Sequence, residues 1–287
     1  MGSLAGKVAV ICGGTSGLGR RSAELFVEEG AQVVIVGRRQ REGEAAAKAL
    51  GAAARFVRAD VSVERDIAAV IAETSKRFGR LDCLFNNAGV PSQRAGIVDI
   101  DLQRFDRAMA IHLNGTIAAM KHAAPLMVQQ GSGSIINTAS INGIRAGMGG
   151  LEYAVAKAAV IHLTRCVAVE LGEKGVRVNC ISPGPIATGI FGKGAGLDHS
   201  MAEHTVDAAT AALATVLPRW QPLPHVGLTV DIARAALFLA GDGARLINGH
   251  NLVVDGGISV GWPAAVMRED RALFEKSFQA EMADADT

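Results

Sequence analysis

Charge of one sign is almost absent as an excess: 29 Lys and Arg against 28 Asp and Glu leave a formal net charge of +1. That removes the electrostatic case for nucleic acid or an anionic membrane as a partner. Long apolar runs are missing too. None reaches the roughly 18 residues that a membrane span needs. The opening MGSLAGKVAVICGG has no charged stretch followed by a long apolar one, so no secretory leader is expected. Gly6 stands where a myristoylation signal wants Ser or Thr. Cysteine is scarce, and Cys12, Cys83, Cys166 and Cys180 form no C-x-x-C pair and no metal-like spacing. They read as small buried hydrophobes in a reducing, cytoplasmic compartment. Tyrosine is scarcest of all: Tyr153 is the only one, so the chain offers a single phenol for chemistry.

What is present suits one large α/β domain. The 287 residues are 49% hydrophobic and 20% charged, which is enough to bury a substantial core. Short β-branched runs at 7–12, 32–37, 54–59, 81–86, 133–139, 176–181 and 251–255 alternate with helical patterns near 18–29, 40–50, 63–78, 101–130, 152–172 and 229–240. Continuous apolar strands alternating with helices predict a seven-stranded parallel sheet covered on both faces, in a single doubly wound Rossmann-type domain over 1–287. Residues 187–228, with scattered Gly, His and Pro, break the rhythm and read as a lid or a disordered insertion. Residues 258–287 form a C-terminal extension that ends in a charged amphipathic helix with an acidic, frayed end.

Directly after the first strand stands CGGTSGLGRR, with Gly13, Gly17 and Gly19 spaced as G-x-x-x-G-x-G. Glycine is needed where backbone turns tightly or approaches a ligand closely. The helix that follows offers free N–H groups and the positive end of its dipole to a pyrophosphate. The strand–turn–helix context is the one dinucleotide binding demands. At the end of the second strand there is no carboxylate to take ribose hydroxyls; Gly37 is followed by Arg38 and Arg39. A guanidinium there pairs with a 2′-phosphate, which favours NADP over NAD. The other reading is a solvated basic loop with NAD held by other contacts.

Together with the glycine turn, the segments "AD" (59–60), "NNAG" (86–89), "NTAS" (137–140), "YAVAK" (153–157), "NCISPGPIAT" (179–188) and "VDGG" (254–257) make the chain resemble the short-chain dehydrogenase/reductase family, in its branch of about 250 residues with a Tyr-x-x-x-Lys motif. The likeness runs from residue 5 to about 260. It implies an NAD(P)-dependent oxidoreductase interconverting a secondary alcohol and a ketone, and a homotetramer. Carried over position by position, it implies that Gly13, Ser16, Gly17, Leu18 and Gly19 line the pyrophosphate. Asp60 and Val61 meet the adenine, Asn87 and Gly89 flank the adenosine ribose, and Ile186 and Thr188 hold the carboxamide. Ser140, Tyr153 and Lys157 form the catalytic group. Tyr153 would act as general acid or base, its pKa of about 10 drawn down by the Lys157 ammonium one turn away, with Ser140 donating to the substrate oxygen.

Two positions depart from the family pattern. Cys12 replaces a Thr that braces the glycine turn. In IHLNG (111–115), His112 stands where the family has an Asn that completes a proton relay. Three readings follow for His112: the relay survives through the main-chain carbonyl, the imidazole itself shuttles protons, or the protein is a weak enzyme. The first is preferred. The last joins a second class of function, a non-catalytic dinucleotide-binding sensor or scaffold on the same fold. His199 and His204, with Asp198, Glu203 and Asp207, make a polar cluster in the lid whose spacing argues against a metal. The substrate cleft is expected at the carboxyl ends of the strands, with Ser140, Ile141, Gly147, Met148, Gly184 and Phe191 as contacts. Such walls suit a neutral ketone or secondary alcohol, since only Arg145 and Lys193 offer charge, and the resemblance implies a small apolar substrate of the cyclic, terpenoid, steroid or aromatic kind.

Overall fold

The computed structural model describes residues 2–92 and 95–285. Its elements run β1 (Val8–Cys12), α1 (Gly17–Glu28), β2 (Gln32–Gly37), α2 (Gln40–Leu50), β3 (Ala54–Arg58), α3 (Glu64–Phe78), β4 (Cys83–Asn86), α4 (Leu102–Met109), α5 (Gly115–Gln130), β5 (Gly133–Thr138), α6 (Leu151–Gly172) and β6 (Val176–Pro183). Then come α7 (Ile190–Gly194), α8 (His199–Glu203), α9 (Val206–Trp220), α10 (Thr229–Ala240), β7 (Asn251–Val254) and α11 (Ala264–Ala285). The seven strands form one parallel sheet in the order β3-β2-β1-β4-β5-β6-β7.

The sheet is buried on both faces because its central strands are largely apolar, and period 2 divides those side chains between two cores. Ala9, Ile11, Val33 and Ile35 meet Ala23 and Phe26 of α1 and Ile232, Ala236 and Leu239 of α10. Val10, Cys12, Val34 and Val36 meet Ile67 and Val70 of α3 and Met120, Ala123 and Met127 of α5. The order of strand addition reverses at β1, whose neighbours are β2 and β4. A crevice opens there at the carboxyl ends, where doubly wound sheets bind ligands.

The helix expected over 101–130 is two helices joined by a π-helical turn at Ala110–Asn114, a wider winding that no side-chain pattern announces. Asp101 starts α4 by accepting from the N–H groups of Gln103 and Arg104. The insertion at 187–228 is folded rather than disordered: it makes α7, α8 and α9, and Leu213 and Leu217 pack on Ala187 and Val226. Among the described residues no helix is long and apolar enough to cross a membrane. Cys12, Cys83 and Cys180 are buried as expected, but Cys166 is exposed; it lies on the outer face of α6, which helical periodicity alone could have placed either way.

Candidate active site

The glycine turn follows β1 and wraps its backbone under the start of α1. Gly13 N and Gly14 N both donate to Val36 O, at 2.8 and 3.2 Å, which braces the turn without the usual Thr. The Cys12 side chain instead joins the apolar core, and burial pushes its thiol up to about 12. A Cβ at Gly13 would stand 2.8 Å from Ala88 Cα, and one at Gly19 would stand 2.3 Å from Gly13 O. Gly13 and Gly17 also adopt φ of +79° and +54°, so glycine is required there. Ser16 caps α1 without a side-chain bond to it, leaving the first-turn N–H groups open to an anion. Leu18 packs against the core below. Thr188 approaches within 3.8 Å of where a Gly17 side chain would begin, so the β6–α7 segment and the glycine turn face each other across a narrow slot. An uncapped helix start and a turn closed to side chains suit a dinucleotide pyrophosphate.

The adenosine side differs in one detail from expectation. Arg38 is largely exposed and pairs with Asp60 at 3.6 Å. Burial alone would raise the Asp60 carboxyl, but hydrogen bonds from Ser62 and the Arg38 charge outweigh it, and the net shift is downward. Arg39, not Arg38, turns toward the glycine turn and donates to Thr15 Oγ1 at 3.0 Å. Two adjacent arginines in a sequence carry no sign of which one faces inward; only the corner after β2 decides it. Asn87 Nδ2 donates to Gly13 O at 3.3 Å and its Oδ1 accepts from Thr138 Oγ1 at 3.4 Å, tying β4 to both β1 and β5. Val61 lies beside Gly115, where an added Cβ would meet Val61 O at 2.8 Å. Ile186 and Thr188 are buried at the end of β6.

Ser140, Tyr153 and Lys157 are brought together at the carboxyl end of β5. Ser140 opens a short turn and is almost fully buried. Its Oγ accepts from Asn142 N at 3.2 Å and from Asn142 Nδ2 at 3.1 Å. Two donors occupy the lone pairs, so the hydroxyl proton is free to be donated. Asn142 is a site residue that sequence reasoning missed, since a side chain bonding back two residues leaves no motif. Lys157 Nζ donates to Thr138 O at 2.5 Å and lies 5.4 Å from the centroid of the half-buried Tyr153 ring. A buried polar chain holds this strip in place: Asn86 Nδ2 donates to Asn137 Oδ1 at 2.9 Å, and Asn137 Nδ2 to Thr164 Oγ1 of α6 at 3.0 Å.

The electrostatics depart from a simple ammonium–phenol pair. Burial pushes the Tyr153 phenol up, opposed by a hydrogen bond with Ser140. Burial also lowers Lys157 to about 7, so at neutral pH its charge is partial and cannot by itself pull Tyr153 down. Both groups are shifted toward their neutral forms by the same dry surroundings.

His112 sits on the π-helical turn, buried, with its ring edge-on to Tyr153 at 5.1 Å between centroids. Its Nε2 meets Val90 N at 3.3 Å and Val90 O at 3.2 Å, while Nδ1 has no partner among the described residues. Burial and then the Lys157 charge hold its pKa well below the ordinary value, so the ring is neutral. Its main-chain oxygen accepts from Thr116 Oγ1 at 2.8 Å. Gly89 makes room for the ring: a Cβ there would lie 2.8 Å from His112 Cε1.

Of the expected substrate contacts, Ile141 is buried in the core and Phe191 is exposed on α7. Met148 lines a cavity of about 600 Å³ with Gly147, Arg145, Trp220 and Trp262. Gly184 is closed by the residue that follows strand β7, since a Cβ there would stand 2.7 Å from Asp255 Cα. Both tryptophans of the chain line this cavity, one from the lid and one from the C-terminal extension, and sequence reasoning missed them. Arg145 stacks on Trp262 at 4.8 Å and donates to Ile258 O at 2.6 Å. Lys193 pairs with Glu203 at 3.0 Å. In the lid cluster, His199 and Glu203 do share helical spacing, i and i+4, at 3.7 Å. No group of side chains suited to a metal occurs among the described residues.

A family model described as enoyl-(acyl carrier protein) reductase matches residues 13–259. Tropinone reductase-like 1 of Erythroxylum coca is 41% identical over 261 residues, covering 90% of this chain and 92% of that protein. Momilactone A synthase of Oryza sativa subsp. japonica is 40% identical over 261 residues, covering 90% and 91%. Secoisolariciresinol dehydrogenase of Forsythia intermedia is 37% identical over 259 residues, covering 90% of each.

Proposed function

The chain belongs to the short-chain dehydrogenase/reductase family of oxidoreductases, and from that premise we propose that it interconverts a secondary alcohol and a ketone on a small, neutral, cyclic or aromatic substrate, with NADP preferred to NAD. The observation that carries the reading is the convergence of Ser140, Tyr153 and Lys157 beside the dinucleotide-type crevice. The bound nicotinamide would give or take the hydride. Tyr153 would give the matching proton to the carbonyl oxygen in reduction and take it from the hydroxyl in oxidation. Ser140, with its lone pairs filled by Asn142, would donate to the same oxygen and stabilise its developing charge. Lys157, anchored on Thr138 O, is within reach of both Tyr153 and the crevice.

The substrate class rests on three supports. The cavity beside the start of α6 has two indole walls, which suit a flat ring. The cation that lines it, Arg145, is already engaged by Ile258 O and Trp262, which disfavours an anionic substrate. The relatives' names, tropinone reductase-like and secoisolariciresinol dehydrogenase, are those of enzymes on cyclic molecules. NADP is supported by Arg38 and Arg39 where a carboxylate would serve NAD. The homotetramer rests on the family resemblance, and the cytoplasmic location on the free cysteines alone.

The sensor or scaffold alternative has one residue in its favour, His112. A neutral ring with one nitrogen at Val90 is a poor proton shuttle but does nothing to block Tyr153. Tyr153→Phe decides between the two. Nicotinamide absorbance would be followed with NADP or NAD and a panel of cyclic and aryl alcohols and ketones. Wild-type turnover that falls by about a thousandfold or more in the variant supports the enzyme. Turnover indifferent to the substitution, or none in the wild type despite tight dinucleotide binding, would leave the sensor.

A further inference from the structure

Three basic side chains from three elements lie around one carboxylate beside the glycine turn. Lys193 of α7 donates to Glu203 Oε1 at 3.0 Å. His199 of α8 approaches the same oxygen with Nε2 at 3.7 Å. That Nε2 also stands 3.4 Å from Ser16 Oγ, so the lid touches the turn that precedes α1. Arg39, at the corner after β2, acts through its charge on both Glu203 and His199. The side chains of Lys193, His199 and Glu203 keep 25%, 27% and 33% of their exposure, too much for a buried structural pair and too little for solvated charges. Gly189 lets the carboxylate in: a Cβ there would stand 2.7 Å from Glu203 Oε1.

Glu203 is the one carboxylate shared by the Lys193 ammonium and the His199 imidazole, while Arg39 also pairs with Glu42 at 4.0 Å, and all three basic groups are set against an uncapped helix start. An anion of higher charge with several acceptor oxygens satisfies them better, and phosphate is that group. We propose that Lys193 and His199, with Arg39 and Ser16, form a phosphate clamp that the lid closes over the cofactor, and that Glu203 is a resident stand-in which a phosphate of the dinucleotide displaces. The clamp rests on the dinucleotide reading above and adds to it the residues by which the lid senses an occupied crevice. The phosphate can be the pyrophosphate, common to NAD and NADP, or the 2′-phosphate of NADP alone.

The exchange has a proton signature. Burial lowers the His199 pKa, the Lys193 and Arg39 charges lower it further, and Glu203 opposes them. The groups facing this ring are Lys193 from α7, Arg39 from the β2–α2 corner, the Ser16 hydroxyl from the turn and Glu203 from its own helix. The pyrophosphate as a whole, or the 2′-phosphate, carries more negative charge than the single carboxylate it replaces and favours the imidazolium, so binding draws a proton from solution near neutral pH.

Isothermal titration of the full chain with NADP and with NAD, at pH 7 in two buffers of different ionisation enthalpy, tests the clamp. Lys193→Ala should weaken binding about tenfold, the loss of one charged hydrogen bond. Glu203→Gln should tighten it about threefold or more by removing the competitor, an effect that misfolding cannot imitate. Wild type should take up protons on binding and His199→Asn should not. A loss with both cofactors points to the pyrophosphate, and a loss confined to NADP points to the 2′-phosphate; both support the clamp. Wild-type binding with affinities unchanged in Lys193→Ala and Glu203→Gln overturns the clamp alone. A wild type that binds neither dinucleotide overturns the dinucleotide reading along with it.

Discussion

The strip from β5 to α6 and the lid at 187–228 handle polar groups in opposite ways. In the strip, Ser140, Lys157, Asn137 and Thr164 are buried, and each has a hydrogen-bond partner within the core. In the lid, Lys193, His199 and Glu203 are partly wet and pair mainly among themselves. Buried, neutral-leaning hydrogen bonds cannot be exchanged without leaving a desolvated group unpaired, so they hold a fixed geometry. Half-exposed ion pairs contribute little to stability and exchange partners freely. The proposed chemistry sits on the part that cannot rearrange, and the proposed closing contacts sit on the part that can.

Lys157→Met should show the contrast most strongly. It should cost nearly all turnover while making the fold more stable, by about 1–3 kcal/mol, because a charge-bearing side chain is taken out of an apolar site. Lys157 titrates near 7 in the fold and at about 10.4 when unfolded. The unfolded chain therefore binds more protons between those values, and wild-type stability rises with pH across that window. The advantage of the Met variant should be full below pH 7 and shrink toward pH 10, which thermal unfolding at several pH values would show. An advantage that stays constant with pH would mean that burial of the ammonium is not its cause.

Thr164→Val keeps shape but strips Asn137 Nδ2 of its oxygen partner inside the core. A cost of about 1–3 kcal/mol in denaturant unfolding is expected. A change below about 0.5 kcal/mol would show that the strip is less tightly bonded than its geometry implies. His112→Asn should have the smallest effect, with turnover staying within about tenfold, since the neutral ring touches Tyr153 only by its edge. A rise by orders of magnitude would mean that the imidazole impairs the enzyme.

The two regions also differ in how far they could be read from the chain alone. Around β5 and α6, helical spacing set Tyr153 and Lys157 on one face, since residues i and i+4 must share it, while Ser140 was named only through the family resemblance. The lid yielded only its length and its polar cluster. Its helices depend on Leu213 and Leu217 finding Ala187 and Val226, contacts between segments that no local pattern encodes. The helix at 101–130 stands between these cases. Its periodicity was legible, but its π-helical turn, which carries His112 up to Tyr153, was not.

By itself the sequence determined the alternation of buried strands and helices, the glycine turn and the shared face of Tyr153 and Lys157. Each of these follows from local sterics and periodicity, which act within a few residues. Tertiary structure alone decided that Arg39 rather than Arg38 leans on the turn, that Asn142 fills the lone pairs of Ser140, that Trp220 and Trp262 share one cavity, and that the same burial shifts Tyr153 up and Lys157 down. Direction of a side chain, distance between remote segments and the local dielectric are properties of the packed chain, and they come into being only when the sheet and its layers close around the site.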